Sequence, residues 1–81
     1  MIREEIKDKI RKVVADLLGM EEESIKDDSD FVNDLNADSL DAVELIMMTE
    51  DKFDISISDA EAEKATTFKL LVDLIERKMN G

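Results

Sequence analysis

No histidine and no cysteine occur among the 81 residues of this chain. That removes zinc sites, disulfides, thiol chemistry and every catalytic triad built on an imidazole base, because no residue is present to supply them. Proline is absent as well, and glycine occurs twice, so little interrupts a helix before its own stop signal. No run of about 18 apolar residues exists to span a bilayer. The first twenty residues are charged throughout, unlike a secretory signal peptide. The expectation is a soluble protein suited to a reducing, cytoplasmic compartment. Positive charge is the remaining scarcity: 11 Lys+Arg stand against 22 Asp+Glu, for a net charge of −11. Nucleic acid would be repelled by most of such a surface, so partners should be basic.

Enough apolar side chain remains to fold. Leu, Ile, Val and Phe together make 24 residues, well above the roughly 20% below which a highly charged chain stays disordered. A second domain would need more chain, since domains usually run to roughly 100 to 150 residues. Residues 1–81 therefore read as a single domain.

The charge is unevenly spread. Residues 1–18 sum to +1 and residues 65–81 to +1, whereas residues 19–64 hold 3 basic and 16 acidic side chains. The middle of the chain is the electrostatic face, suited to a positive patch on a partner. A solvated acidic surface that only maintains solubility gives the same pattern.

Ile2, Ile6, Ile10, Val13, Val14, Leu17 and Leu18 recur as one stripe of an amphipathic helix, with Gly19 at the usual place for a left-handed C-cap. Residues 20–38 lose periodicity. They read as a long loop pinned by Ile25, Phe31, Val32 and Leu35, with a short helical turn near Ser29; so long a loop in so small a domain is usually functional. A second helix is predicted from Ser39 to about Phe53, with Asp38 as N-cap and Asp41 in the first turn to suit the helix dipole. Ser58-Asp59-Ala60-Glu61 matches a capping box and opens a short third helix ending near Lys64 or Ala65. Thr67 caps a last helix bearing Leu70, Leu71, Leu74, Ile75 and Met79, with Arg77 and Lys78 near its C-terminal end. Nothing alternates with period two for long enough to build a sheet. The predicted fold is all-α, a small four-helix bundle of three longer helices and a short third one.

The second helix carries two apolar stripes. At about 100° per residue, Ala42, Leu45, Ile46, Thr49 and Phe53 share one face, suited to the core. Leu40, Val43 and Met47 form another, with Glu44, Glu50 and Asp51 beside them. Carboxylates so placed are hard to bury, which leaves an apolar triplet with a charged rim, the anatomy of a docking patch. A helix central in the bundle that buries two sides gives the same pattern. Met47 and Met48 share this ambiguity, methionine being a frequent core gap-filler.

Ser39 heads this helix. It is a poor nucleophile, since it lacks a histidine and Asp38-Ser39-Leu40 is not the strained Gly-x-Ser-x-Gly elbow of hydrolases. It either starts the helix and nothing more, or serves as a substrate. An exposed serine at a helix N-terminus is a good place to attach a phosphate-linked group, because free backbone N–H groups and the dipole favour the anion.

The run Asp34-Leu35-Asn36-Ala37-Asp38-Ser39-Leu40-Asp41, followed by Val43-Glu44-Leu45, resembles the attachment motif of acyl carrier proteins of type II fatty acid synthesis. Phe31, Phe53-Asp54, Ile57, Ala62-Glu63-Lys64 and Thr66-Thr67 extend the resemblance over nearly the whole chain. It implies a non-enzymatic carrier in which Ser39 bears 4′-phosphopantetheine, installed from coenzyme A by a holo-carrier-protein synthase, with acyl chains held as thioesters on its thiol. It further implies that Asp38, Asp41, Glu44, Glu50 and Asp51 contact basic patches on fatty acid synthesis enzymes. Leu40, Val43 and Met47 would be the apolar centre of that surface, joined by Ile57. The core stripe, with Phe31, Ala65 and Leu71, would line the cavity that shelters the acyl chain. A monomer without metal is implied.

Four departures from the family pattern stand out. Asn36 replaces a usual glycine but tolerates left-handed φ. Ser58 replaces a usual proline and offers the capping box instead. Lys52 interrupts the acidic patch. Thr49 and Ala65 replace larger apolar residues, with the Thr49 hydroxyl able to back-bond to the Leu45 carbonyl. Two alternatives remain open. A carrier of polyketide or aminoacyl intermediates would use identical attachment chemistry. A divalent-cation-binding helical protein is suggested by Asp34-x-Asn36-x-Asp38, although the EF-hand positions that need Gly and Glu hold Ser39 and Leu45.

Overall fold

The computed structural model describes residues 2–80. Among them the chain forms four α-helices, α1 (Arg3–Leu18), α2 (Ser39–Phe53), α3 (Asp59–Lys64) and α4 (Phe68–Asn80), with a 3₁₀ turn at Glu22–Ser24. This is the bundle of three longer helices and one short one that the periodicities predict. No strand forms among the described residues; Asp30 and Thr67 meet as an isolated antiparallel bridge.

Helix α1 lies against both α2 and α4. It buries Ile6, Ile10, Val13, Val14 and Ala15 and stops at Gly19, whose φ of 66° closes the helix by an N–H bond to the Ala15 carbonyl. Ile2 does not continue the stripe: it is the N-cap, in extended backbone, and is 65% exposed. Leu17 and Leu18 are half-buried at the C-terminal end of the stripe. The α1 cations reach other elements, with Arg3 paired to Asp73 at 2.8 Å and Glu76 at 3.1 Å, and Lys7 to Asp27 at 3.2 Å. Arg11 lies over the Phe68 ring, 4.9 Å from its centre.

Helix α4 buries Phe68, Leu71, Val72, Leu74 and Ile75. Leu70, predicted on this stripe, is instead 44% exposed. Phe68 and Val72 take its place, because 68, 71, 72 and 75 follow the i, i+3, i+4, i+7 rule from the first residue of the helix. Thr67 caps the helix, its Oγ1 accepting the Leu70 N–H at 3.2 Å.

The long loop departs from its predicted detail. Its helical turn falls at Glu22–Ser24 rather than near Ser29. At Ser29 the backbone makes a closed turn, with the Ser29 N–H donating to the Lys26 carbonyl and the Lys26 N–H to Ser29 Oγ at 2.9 Å. Ile25 and Phe31 are buried anchors and Leu35 is half-buried, but Val32 points into solvent. Ala37, buried, supplies the missing anchor. Three backbone bonds fasten the loop to the start of α4: Phe31 N–H to Thr66 O, Phe68 N–H to Ser29 O and Lys69 N–H to Asp27 O.

Candidate functional site

The N-terminus of α2 is built by short-range chemistry. Asn36 adopts φ 60°, the left-handed turn that asparagine tolerates better than most residues. Ala37 then dips into the core and donates its N–H to the Phe31 carbonyl at 2.8 Å. Next comes Asp38, the N-cap, whose carboxylate accepts the Asp41 N–H at 2.9 Å while the Asp38 N–H reaches Asp41 Oδ2 at 3.3 Å. This capping box uses Asp at the position where Glu or Gln is usual. Ser39, the first residue of α2, is exposed directly beside it.

Donors at this end are allotted unevenly. The Ala42 N–H bonds to the Asp38 carbonyl at 3.0 Å and the Asp41 N–H to the Asp38 carboxylate. The N–H groups of Ser39 and Leu40 precede the intrahelical ladder and have no acceptor within it. A phosphate ester on Ser39 Oγ would meet those two donors at the positive end of the helix dipole. The residues present therefore fit a phosphate-linked prosthetic group.

Down α2 the two stripes separate as predicted. Leu45, Thr49 and Phe53 are buried and Ala42 and Ile46 half-buried, while Leu40, Val43 and Met47 are 79%, 58% and 59% exposed. The fully buried Thr49 donates its hydroxyl proton to the Leu45 carbonyl at 2.8 Å. Of the acids beside the apolar triplet, Asp38, Glu44 and Asp51 are exposed, and Asp41 and Glu50 are half-buried. Asp51 leans away from the others, bordering a groove toward α1 with Lys12, Met48 and Lys52. Ile57 is 9% exposed and packed in the core, because the chain turns inward before Ser58, and it meets Val43 and Met47 along the groove between α2 and α3. Its N–H donates to Glu50 Oε2 at 2.8 Å.

Between α2 and α3 runs a groove of about 440 Å³. Ala42, Val43, Ile46, Met47, Ile57 and Ala62 form its apolar wall, and Glu50, Asp59 and Glu63 its rim. Phe31, Leu45, Thr49, Phe53, Ala65 and Leu71 are packed in the core and do not border this groove. Asp59, Ala62 and Glu63 border the groove although the sequence reading gave them no part in the docking surface; their i, i+3 and i+4 spacing on α3 is the signal that places them on one face.

Helix α3 is held by its own capping box. Glu61 accepts the Ser58 N–H at 3.0 Å, the Glu61 N–H reaches Ser58 Oγ at 3.1 Å, and Lys78 pairs with the same carboxylate at 3.0 Å. The bond from Ser58, and then Lys78, hold the Glu61 carboxyl down at about 2. In the acidic loop, Asp30 accepts the N–H groups of Val32 and Asn33, and Asp34 accepts that of Asp30. Asp34 and Asp38 thus cap backbone, and no group of three or more carboxylates suited to a metal ion occurs among the described residues.

A family model described as a phosphopantetheine attachment site matches residues 8–75. The chain belongs to the acyl carrier protein family. A solved structure of the acyl carrier protein from Enterococcus faecalis is 36% identical to it and superposes with a TM-score of 0.82. That match covers 96% of this chain and 99% of the other. The attached cofactor of this family is phosphopantetheine. Acyl carrier proteins are carriers and not catalysts. No helix among the described residues is long and apolar enough to cross a membrane.

Proposed function

We propose that this protein holds growing fatty acyl chains as thioesters on a 4′-phosphopantetheine arm at Ser39 and presents them to enzymes of fatty acid synthesis. The observation that carries the reading is Ser39 itself, exposed at the head of α2 beside the apolar triplet Leu40, Val43 and Met47. When attached, the arm supplies the thiol that this cysteine-free chain lacks. The N–H groups of Ser39 and Leu40 hold its phosphate, and the Asp38–Asp41 cap keeps that end of the helix closed. Asp38, Asp41, Glu44, Glu50 and Asp51 steer basic partners, including the phosphopantetheinyl transferase, and the apolar triplet gives the contact a dry centre. The apolar wall of the α2–α3 groove takes the first carbons of a bound chain. A cytoplasmic, monomeric carrier goes with this reading.

Incubation with coenzyme A, Mg²⁺ and a phosphopantetheinyl transferase tests it. The intact mass rises by one phosphopantetheine, and Ser39→Ala abolishes the gain; an unmodified wild-type chain would sink the proposal. Intact mass of the protein from its native host then identifies the load, separating fatty acyl from polyketide or aminoacyl cargo.

A further inference from the structure

Glu50 organises the connection between α2 and α3 almost alone. Its carbonyl accepts the N–H groups of Asp54, which sits at φ 54°, and of Ile55. Its carboxylate accepts a third, the Ile57 N–H, at 2.8 Å. The same side chain is half-buried and borders the α2–α3 groove. One carboxylate therefore faces the docking side of α2 and also clasps the segment that leads into α3.

That segment has little else to hold it. Helix α3 spans six residues and buries none of them. Its anchors are Ile57 and Ala65, one at each end, and the half-buried Ala62 between them, with Glu61–Lys78 as a further tie. Ile57 forms part of the groove wall, so a movement of Ile57 changes the groove.

We infer that Glu50 couples docking to groove opening: a partner's arginine on the Glu50 carboxylate competes with the Ile57 N–H and frees the α2–α3 connection. The Ile57 bond is itself charge-assisted but single, whereas a guanidinium engages a carboxylate through both oxygens at once and brings a full positive charge, so it competes for the oxygen that Ile57 holds. Turned toward the partner, the carboxylate no longer serves Ile57. The inference rests on the docking surface proposed above and adds to it a consequence for the cargo groove.

Amide hydrogen exchange measured residue by residue tests the coupling. The probe is a phosphopantetheinyl transferase at saturating concentration, without coenzyme A so that Ser39 stays unmodified. In the free wild-type chain the Ile57 amide exchanges slowly; in the complex it exchanges at least about tenfold faster, while the amides of α1 and α4 keep their rates. Glu50→Ala makes Ile57 exchange fast in the free protein, with no further rise on binding. Glu50→Gln, which keeps an acceptor oxygen but not the charge, holds Ile57 slow in both states. Saturable binding with Ile57 still slow in the wild-type complex overturns the coupling and leaves docking intact. So does a Glu50→Ala chain whose free Ile57 amide matches wild type. Failure of the transferase to bind overturns the docking surface, and the coupling with it.

Discussion

Asp38 and Asp41 close the head of α2 by exchanging hydrogen bonds, each carboxylate accepting the other's backbone N–H, at 2.9 Å and 3.3 Å. The exchange leaves the amides of Ser39 and Leu40 as the free donors at that end. It also gives two acidic residues of the proposed docking face a structural duty.

Those duties can be separated at Asp38. Asp38→Ala should lower stability by about 1 kcal/mol in urea unfolding, the usual cost of a lost N-cap, whereas Asp38→Asn stays within a few tenths because asparagine caps equally well. Equal losses would mean that charge against the dipole, not the side-chain acceptor, closes the helix.

At Thr49 the buried hydroxyl bonds only to a carbonyl four residues back. Thr49→Val keeps the shape and leaves no donor behind, so it should fall within about 1 kcal/mol of wild type. Thr49→Ser removes a buried methyl and should cost about 1 kcal/mol. A valine variant weaker than the serine variant would show that the hydroxyl bond outweighs packing.

Glu61 makes part of the acid sensitivity. Its carboxyl titrates at about 2 against an ordinary 4.5, so the stability it contributes is complete above about pH 4.5 and disappears as pH falls toward 2. Because the Ser58 N–H is the larger cause and Lys78 the smaller, Lys78→Met should raise the Glu61 pKa yet leave it below 4.5. Carboxyl-detected NMR titration gives the value directly, and a full return to 4.5 would assign the shift to Lys78 alone.

Glu44 is exposed beside the apolar triplet and has no structural duty among the described hydrogen bonds. Glu44→Lys should raise the Kd for a phosphopantetheinyl transferase roughly tenfold at low salt, with a smaller effect at high salt, because the contact is steered by charge. Equal weakening at both salt concentrations would point to a folding defect.

Local signals were legible in the sequence and distant ones were not. Gly19, Asp38, Ser58 and Thr67 mark helix ends through chemistry confined to a few residues, and each sits where its type predicts. The two stripes of α2 follow from angle alone. The loop's pairing with residues 66–69 joins segments some forty residues apart, and no periodicity records such a bond. The depth of Ile57 is hidden for the same reason: its neighbour Ser58 is exposed, and only the Glu50 clasp and the inward turn bring the isoleucine into the core. The capping box at α2 lacks the usual sequence signature, because its N3 residue is Asp41 and not Glu or Gln.

The central claim is that one particular serine carries the arm, among the five the chain contains at positions 24, 29, 39, 56 and 58. Peptide mapping by tandem mass spectrometry, after transferase treatment with coenzyme A, locates the group directly. The account predicts phosphopantetheine on Ser39 and on no other serine; modification of Ser56, Ser58 or any site other than Ser39 would contradict it.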